Sequence, residues 1–457
     1  MAFFLYFSII IVGIFYIFLS KDKKNSLLNL YVFFIPFFGL MYDIGISLTL
    51  DRVFSLFMLL VMFYDNSIYK ISKKLITFLI FIFYSFMITL VLSQTLPDTV
   101  NLFPPLRGMY RYLGQIIMWS LQFIPVFFIV RYLKDREQII KLFKVLILSC
   151  FILSLIGLFQ YLFYHHFGYD ILPVGVLQED ATRSGMFSFE SLNIFRVSSL
   201  GGEPKHFAYS LSIVLPIIIL LNYLKILKSK IIFMLIMLVN LILTFSTQGY
   251  IIFVLNMFIV FFLLWYFKGL KKKFFLYSLI SVCAVVIFFV LNPFLFQLIK
   301  LRSIDRLLDP SVVGAHSIIE DFNEAVIEFI KENPYWSIIG VGLGNIHLYA
   351  QEYIPDYAWY MIDNVFVAKS GFLRLLSEVG LIGLFLFLIS YLKPLAVLFK
   401  LAKKDDLALF LVIVSIYSLI DFALTADGPT YIFLFLGILY CMQTKYSYFS
   451  YTKDGLI

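Results

Sequence analysis

Four groups able to handle charge fall within eleven residues: Arg196, Glu203, Lys205 and His206, in the run Arg196-Val-Ser-Ser-Leu-Gly-Gly-Glu203-Pro204-Lys205-His206. A carboxylate and an imidazole so placed offer an acid or base, and flanking cations offer positive potential to an anion. Pro204 suits the first turn of a helix, whose N-terminus adds to that potential. A polar cap on a helix is the plainer alternative, and the density of ionisable groups favours chemistry. A second cluster is Lys369-Ser370-Gly371-Phe372-Leu373-Arg374, followed by Glu378 four residues on. Arg374 and Glu378 sit one helical turn apart and can pair, either to work on a ligand or to lock helix packing. Arg302 and Arg306 share the same spacing and would point the same way from a helix.

Other candidates carry less. His165-His166 and His347 stand apart from further ligands. No D-x-D, H-E-x-x-H or paired-cysteine motif appears, so neither a metal nor a cofactor is expected. Cys150, Cys283 and Cys441 are far apart within apolar runs and read as packing residues.

The elements that must position these groups are membrane helices. Of 457 residues, 62% are hydrophobic and 14% charged, the latter roughly half a soluble domain's share. This excludes a soluble globular domain and a disordered chain. Long unbroken apolar runs exclude a β-barrel. The expected fold is an all-α, polytopic bundle of 12–13 spans. With about 20 residues per span, the runs are 3–19, 27–43, 46–64, 75–93, 112–130, 142–164, 206–224, 231–247, 249–267, 274–296, 372–392, 407–424 and 430–444. The first lacks a basic start and a cleavage site, and reads as a retained span.

Charge orients the bundle. Numbering the connections in order, the odd ones and the C-terminal tail hold 24 of the 36 Lys and Arg. The positive-inside rule makes that side cytoplasmic, with the N-terminus outside and the C-terminus inside. The net charge of +8 therefore belongs to a membrane surface and not to nucleic acid. The chain divides into helices 1–10 over 1–296, with an outer loop at 165–205, an outer loop domain over 297–371, and the last helices and tail over 372–457.

Long outer loops in a membrane protein are usually functional. Ser317-Ile318-Ile319-Glu320 reads as a capping box that opens an amphipathic helix over 317–332, stopped by Asn333-Pro334. Gly340, Gly342 and Gly344 read as a plain tight turn. Twelve cations lie on the outer side against the topology rule: Arg52, Arg107, Arg111, Arg183, Arg196, Lys205, Lys300, Arg302, Arg306, Lys331, Lys369 and Arg374. As a set they suit an anion held in a cavity.

These features resemble the bacterial O-antigen polymerase and ligase superfamily over roughly residues 190–395. The resemblance lies in Arg196 to Ala208, Leu243-Thr244-Phe245-Ser246 ending a span, Asn333-Pro334 with Gly340-Val341-Gly342, and Glu378-Val379-Gly380-Leu381-Ile382-Gly383. Two positions depart from it. Lys369-Ser370 stand where the family often has His-Asn, and Thr247-Gln248 stand where many members have Ser-Arg. The His is associated with the ligase branch, so its absence favours a polymerase.

The resemblance implies an inner-membrane glycosyltransferase with its large loops periplasmic. It would join undecaprenyl-pyrophosphate-linked oligosaccharide repeats, beside membrane lipid and a chain-length regulator protein. Arg196, Lys205, Arg302, Arg306, Lys369 and Arg374 are the expected pyrophosphate ligands. Glu203 or His206 is the expected base, Arg196 assists catalysis, and Glu378 supports the site. A ligase acting on lipid A core is the alternative. A flippase or transporter is less favoured, because it predicts charges deep in several spans and internal repeats.

Overall fold

The computed structural model describes residues 2–43, 47–65, 72–92, 109–172, 186–189, 192–226, 231–269, 318–354, 368–425 and 429–451. The expected span at 274–296 and the pair Arg302 and Arg306 lie outside the described residues, as do Arg107, Arg183 and Lys300.

The fold is an all-α polytopic bundle. Among the described residues, seven helices are long and apolar enough to cross a bilayer. In chain order the helices begin with α1 (Ala2–Leu19), α2 (Lys23–Phe34), α3 (Leu50–Tyr64), α4 (Ile76–Leu92), α5 (Met109–Tyr132) and α6 (Arg136–Phe167). They continue with α7 (Pro204–Tyr223), α8 (Ile231–Leu243), α9 (Thr247–Lys268), α10 (Ile318–Glu332), α11 (Pro334–Ile339) and α12 (Ile346–Tyr349). The last three are α13 (Gly371–Leu401), α14 (Asp406–Leu424) and α15 (Pro429–Tyr451). Among the described residues two small antiparallel strand pairs interrupt them, β1 (Met41–Asp43) with β2 (Ser47–Thr49) and β3 (Met186–Phe189) with β4 (Leu192–Phe195).

Packing sorts the helices into a centre and a rim. On α7, α14 and α15 nearly every described side chain is buried. By contrast, α1, α4, α9 and α13 turn large apolar side chains outward, such as Val12 at 67%, Phe83 at 65%, Phe258 at 64% and Phe385 at 61% exposure. Lipid solvates that face at no cost, so helix association rests on close packing and on interhelical hydrogen bonds of about 0.6–2 kcal/mol each. Tyr417 donates to the Ile213 carbonyl at 3.0 Å, Tyr391 to Ser415 at 3.0 Å and Tyr440 to Ser390 at 2.7 Å.

The two ends of the bundle match the charge alternation. Connections numbered odd meet at one end, where Lys24 pairs with Asp65, Tyr132 donates to Asp65 at 2.8 Å, and Lys74 donates to the Gln443 carbonyl at 2.6 Å. Arg136 pairs with Asp405 and Lys268 with Asp406 at the same end, both at 2.6 Å. Even-numbered connections meet at the other end, where Gly39 N–H donates to Leu200 and Ser370 Oγ to the Ala423 carbonyl.

Helix limits differ from expectation where apolar sequence is not helical. The run 27–43 is helical only to Phe34. Pro36 has no amide to extend the ladder, and the chain turns into the first strand pair. The next run becomes helical at Leu50, and the run 231–247 stops at Leu243. The amphipathic helix expected at 317–332 ends at Glu332 as expected, but Asn333-Pro334 also starts a second helix, α11, because proline fits a first helical turn.

Candidate functional site

The N-terminal part of α13 is built around a broken helix. Its residues Gly371–Leu401 lose helical geometry at Gly380, which has φ 68° and ψ −179°. The break leaves the carbonyls of Ser377 and Glu378 without helical donors, a costly state away from water. The glycine turn supplies the donors: Val341 N–H to Ser377 at 3.0 Å and Gly342 N–H to Glu378 at 2.8 Å. The contact admits no side chain. A Cβ on Gly340 would lie 2.4 Å from the Glu378 oxygen, and one on Gly380 would lie 2.2 Å from the Ile338 oxygen. What the sequence offered as a plain turn is therefore half of an interlock with α13. Leu343 N–H to Thr89 Oγ1 at 2.9 Å and Tyr84 to the Ile339 carbonyl at 3.1 Å moor the turn to α4.

This interlock fixes the Arg374–Glu378 pair. Arg374 Nε donates to Glu378 Oε1 at 3.1 Å, with Glu378 fully buried and Arg374 17% exposed. The Arg374 guanidinium also lies 5.1 Å from the Trp119 ring of α5. Arg52, in the first turn of α3, lies within electrostatic range of Arg374 and beside the buried Asp51. Thr430 of α15 donates to Asp51 at 3.4 Å. Removing one member of such a buried pair strands the other, at about 3–5 kcal/mol.

The second cluster sits where α7 begins. Glu203 is the N-cap residue without a side-chain cap bond, and Pro204 is the first helical residue. Lys205 pairs with Glu203 at 3.2 Å; the two are 26% and 21% exposed, so both remain reachable. The His206 ring lies against Phe38 at 5.5 Å. Gln160 braces the strap that leads here. Its Oε1 accepts from Ser198 and Ser199 N–H, and its Nε2 donates to Asp170. Burial pushes the Asp170 carboxyl above its ordinary range, against the lowering pull of Leu172 N–H and Gln160.

Arg196 joins neither pair through its observed bond. Its Nε donates to the Thr244 carbonyl at 3.1 Å, beside Val197 N–H to Leu243 at 3.0 Å and Tyr250 OH to Ile242 at 2.6 Å. These three donors cap the C-terminus of α8, where Phe245 adopts φ 45° before α9 restarts. Lys369 is half-buried, and its N–H donates to Asn323 Oδ1 of α10 at 2.9 Å.

The sequence candidates thus fall into three groups: Glu203 with Lys205 and His206 at the start of α7, Arg196 at the α8–α9 break, and Arg374 with Glu378 on α13. Contacts link them. Tyr209, one turn into α7, packs against Tyr431 at 5.9 Å, and neighbouring Thr430 reaches Asp51 beside Arg52. Sequence reasoning counted Arg52 among the outward cations but gave it no role, and it passed over Asp51 and Trp119. The signal for Asp51-Arg52 was an ionisable pair at the first turn of an apolar helix.

The family model for O-antigen ligase matches residues 232–388. No curated protein matches the chain. The α8–α9 break, the glycine turn, Arg374, Glu378 and Gly380 fall inside the matched region, while the start of α7 precedes it. The chain is accordingly a polytopic membrane protein that carries, over residues 232–388, a region similar to the O-antigen ligase family.

Proposed function

We propose that the chain is a surface-polysaccharide polymerase of the bacterial inner membrane, working at its periplasmic face. The donor is a growing glycan on undecaprenyl pyrophosphate, and the acceptor is a lipid-linked repeat unit. An acceptor hydroxyl attacks the anomeric carbon; the new C–O bond forms as the bond to pyrophosphate oxygen breaks. Glu203 or His206 takes the hydroxyl proton, and polyprenyl pyrophosphate leaves. The observation that carries this reading is the gathering of Arg374, Arg52 and Trp119 around a broken helix at the end opposite the basic connections. Guanidinium groups held there stabilise charge that develops on the leaving oxygen. Lys205 and Lys369 act as lesser partners, with Arg302 and Arg306 from the loop. Because the leaving group already carries its phosphates, no metal is needed.

A ligase, passing the glycan to lipid A core, is the second reading, and the description of the matched family favours it. Lys369-Ser370 in place of His-Asn favours the polymerase. Incubating purified protein with lipid-linked repeat units tests the proposal. A ladder of longer products is expected with and without chelator. Product formed only when lipid A core is added would replace it with the ligase.

A further inference from the structure

Three helices, the central α7 and α14 and the rim helix α9, meet at Asp421 and Asn256. Both side chains are 0% exposed, Asp421 in α14 and Asn256 in α9. Asn256 Nδ2 donates to Asp421 Oδ2 at 2.8 Å and to the Ser212 carbonyl of α7 at 3.3 Å. The other oxygen of each residue, Asp421 Oδ1 and Asn256 Oδ1, has no hydrogen-bond partner among the described residues. No salt bridge among the described residues involves Asp421. Tyr417, on the same helix, interacts electrostatically with Asp421, and Tyr209 of α7 and Tyr391 of α13 interact in turn with Tyr417. An ionised carboxylate with one amide donor is costly at this depth, and two buried acceptors without donors add to the cost.

One proton resolves all three costs. We infer that Asp421 is a neutral carboxylic acid, protonated on Oδ1, whose O–H donates to Asn256 Oδ1 and closes a cyclic acid–amide pair. The two atoms without partners belong to the two residues already bonded to each other, and the missing donor is the acid's own proton. The closed pair joins α9 to α14 while Asn256 holds α7. Those helices carry the α8–α9 break, the mooring of Ser370 on Ala423, and the Glu203–His206 cluster. Asp421 therefore acts as a positioning residue, through the helices it joins.

Infrared spectroscopy of the purified, lipid-embedded protein at neutral pH tests this. The expected result is an un-ionised carboxylic acid band that shifts in heavy water and is absent from Asp421→Asn. That variant, which can still donate to Asn256 Oδ1, should keep the wild-type unfolding temperature and glycan products. Asn256→Leu should unfold several degrees lower, and Asp421→Ala likewise. Absence of the acid band from the wild-type protein would overturn the inference. So would an unfolding temperature that rises with sodium but not with choline, because a metal cation would then bridge the two oxygens.

Discussion

Gly342 N–H donates to the Glu378 carbonyl at 2.8 Å, two residues before α13 breaks at Gly380. A loop between helices is thereby welded to a membrane helix through backbone alone. The weld sets the angle at which Arg374 and Glu378 leave their helix. It also explains why glycine stands on both sides, since Gly340 has φ 84° and Gly380 φ 68°. Gly380→Ala is expected to cost well over 1 kcal/mol, because it adds a Cβ 2.2 Å from a backbone oxygen to left-handed strain. Thermal unfolding in detergent checks this, and stability equal to wild type would refute the interlock.

Arg374 serves two roles that substitutions can separate. Arg374→Gln alone strands buried Glu378 and should lower both stability and activity. In the double variant Arg374→Gln with Glu378→Gln, no charge is stranded and stability should largely return. Polymerisation should stay reduced by about 10²–10³-fold if the guanidinium acts on the leaving oxygen. Product ladders together with unfolding temperatures decide it; recovery of both would make the pair a packing lock only.

Arg136 and Asp405 bind bidentately at 2.6 Å, and Asp405 also caps α14 by accepting from Leu407 and Ala408 N–H. Despite opposing burial, the Arg136 guanidinium and these amides hold the Asp405 carboxyl below the ordinary carboxylate range. A depressed folded-state value means the pair stabilises above the ordinary range and is lost as pH falls through the lower, folded value. Asp405→Ala should cost about 2 kcal/mol at neutral pH. The gap to wild type should narrow only in strong acid, as read from unfolding temperatures across pH.

Much of the bundle was legible because two physical signals are written residue by residue. Apolar runs give helices, and Lys and Arg mark alternate connections; Arg136 with Asp405 and Lys268 with Asp406 now meet at the end that this alternation grouped. Hydropathy is blind to backbone dihedrals, so Gly380 passed as part of a continuous apolar helix, and Ile35 to Asp43 and Ser47 to Thr49 passed as span. The site was legible only by parts. Glu203, Lys205 and His206 are neighbours in sequence, whereas Arg52, Trp119 and Arg374 come from α3, α5 and α13, and no spacing records their meeting. Arg196 was expected on a phosphate, yet its Nε holds a helix end.

If Arg196 acts chiefly through the α8–α9 break, Arg196→Lys keeps the charge but loses the planar fork. Its unfolding temperature should fall while the product ladder of the folded fraction keeps its length. A folded, fully stable Arg196→Lys protein that makes no product would instead assign Arg196 to the substrate.

Direct binding of undecaprenyl pyrophosphate to purified protein tests the central claim most closely, with wild type compared against Arg52→Gln and the Arg374→Gln, Glu378→Gln double variant. The account predicts at least about tenfold weaker binding for each folded variant, as loss of one charge-assisted contact implies. Affinity equal to wild type in both would contradict a diphosphate held between Arg52 and Arg374.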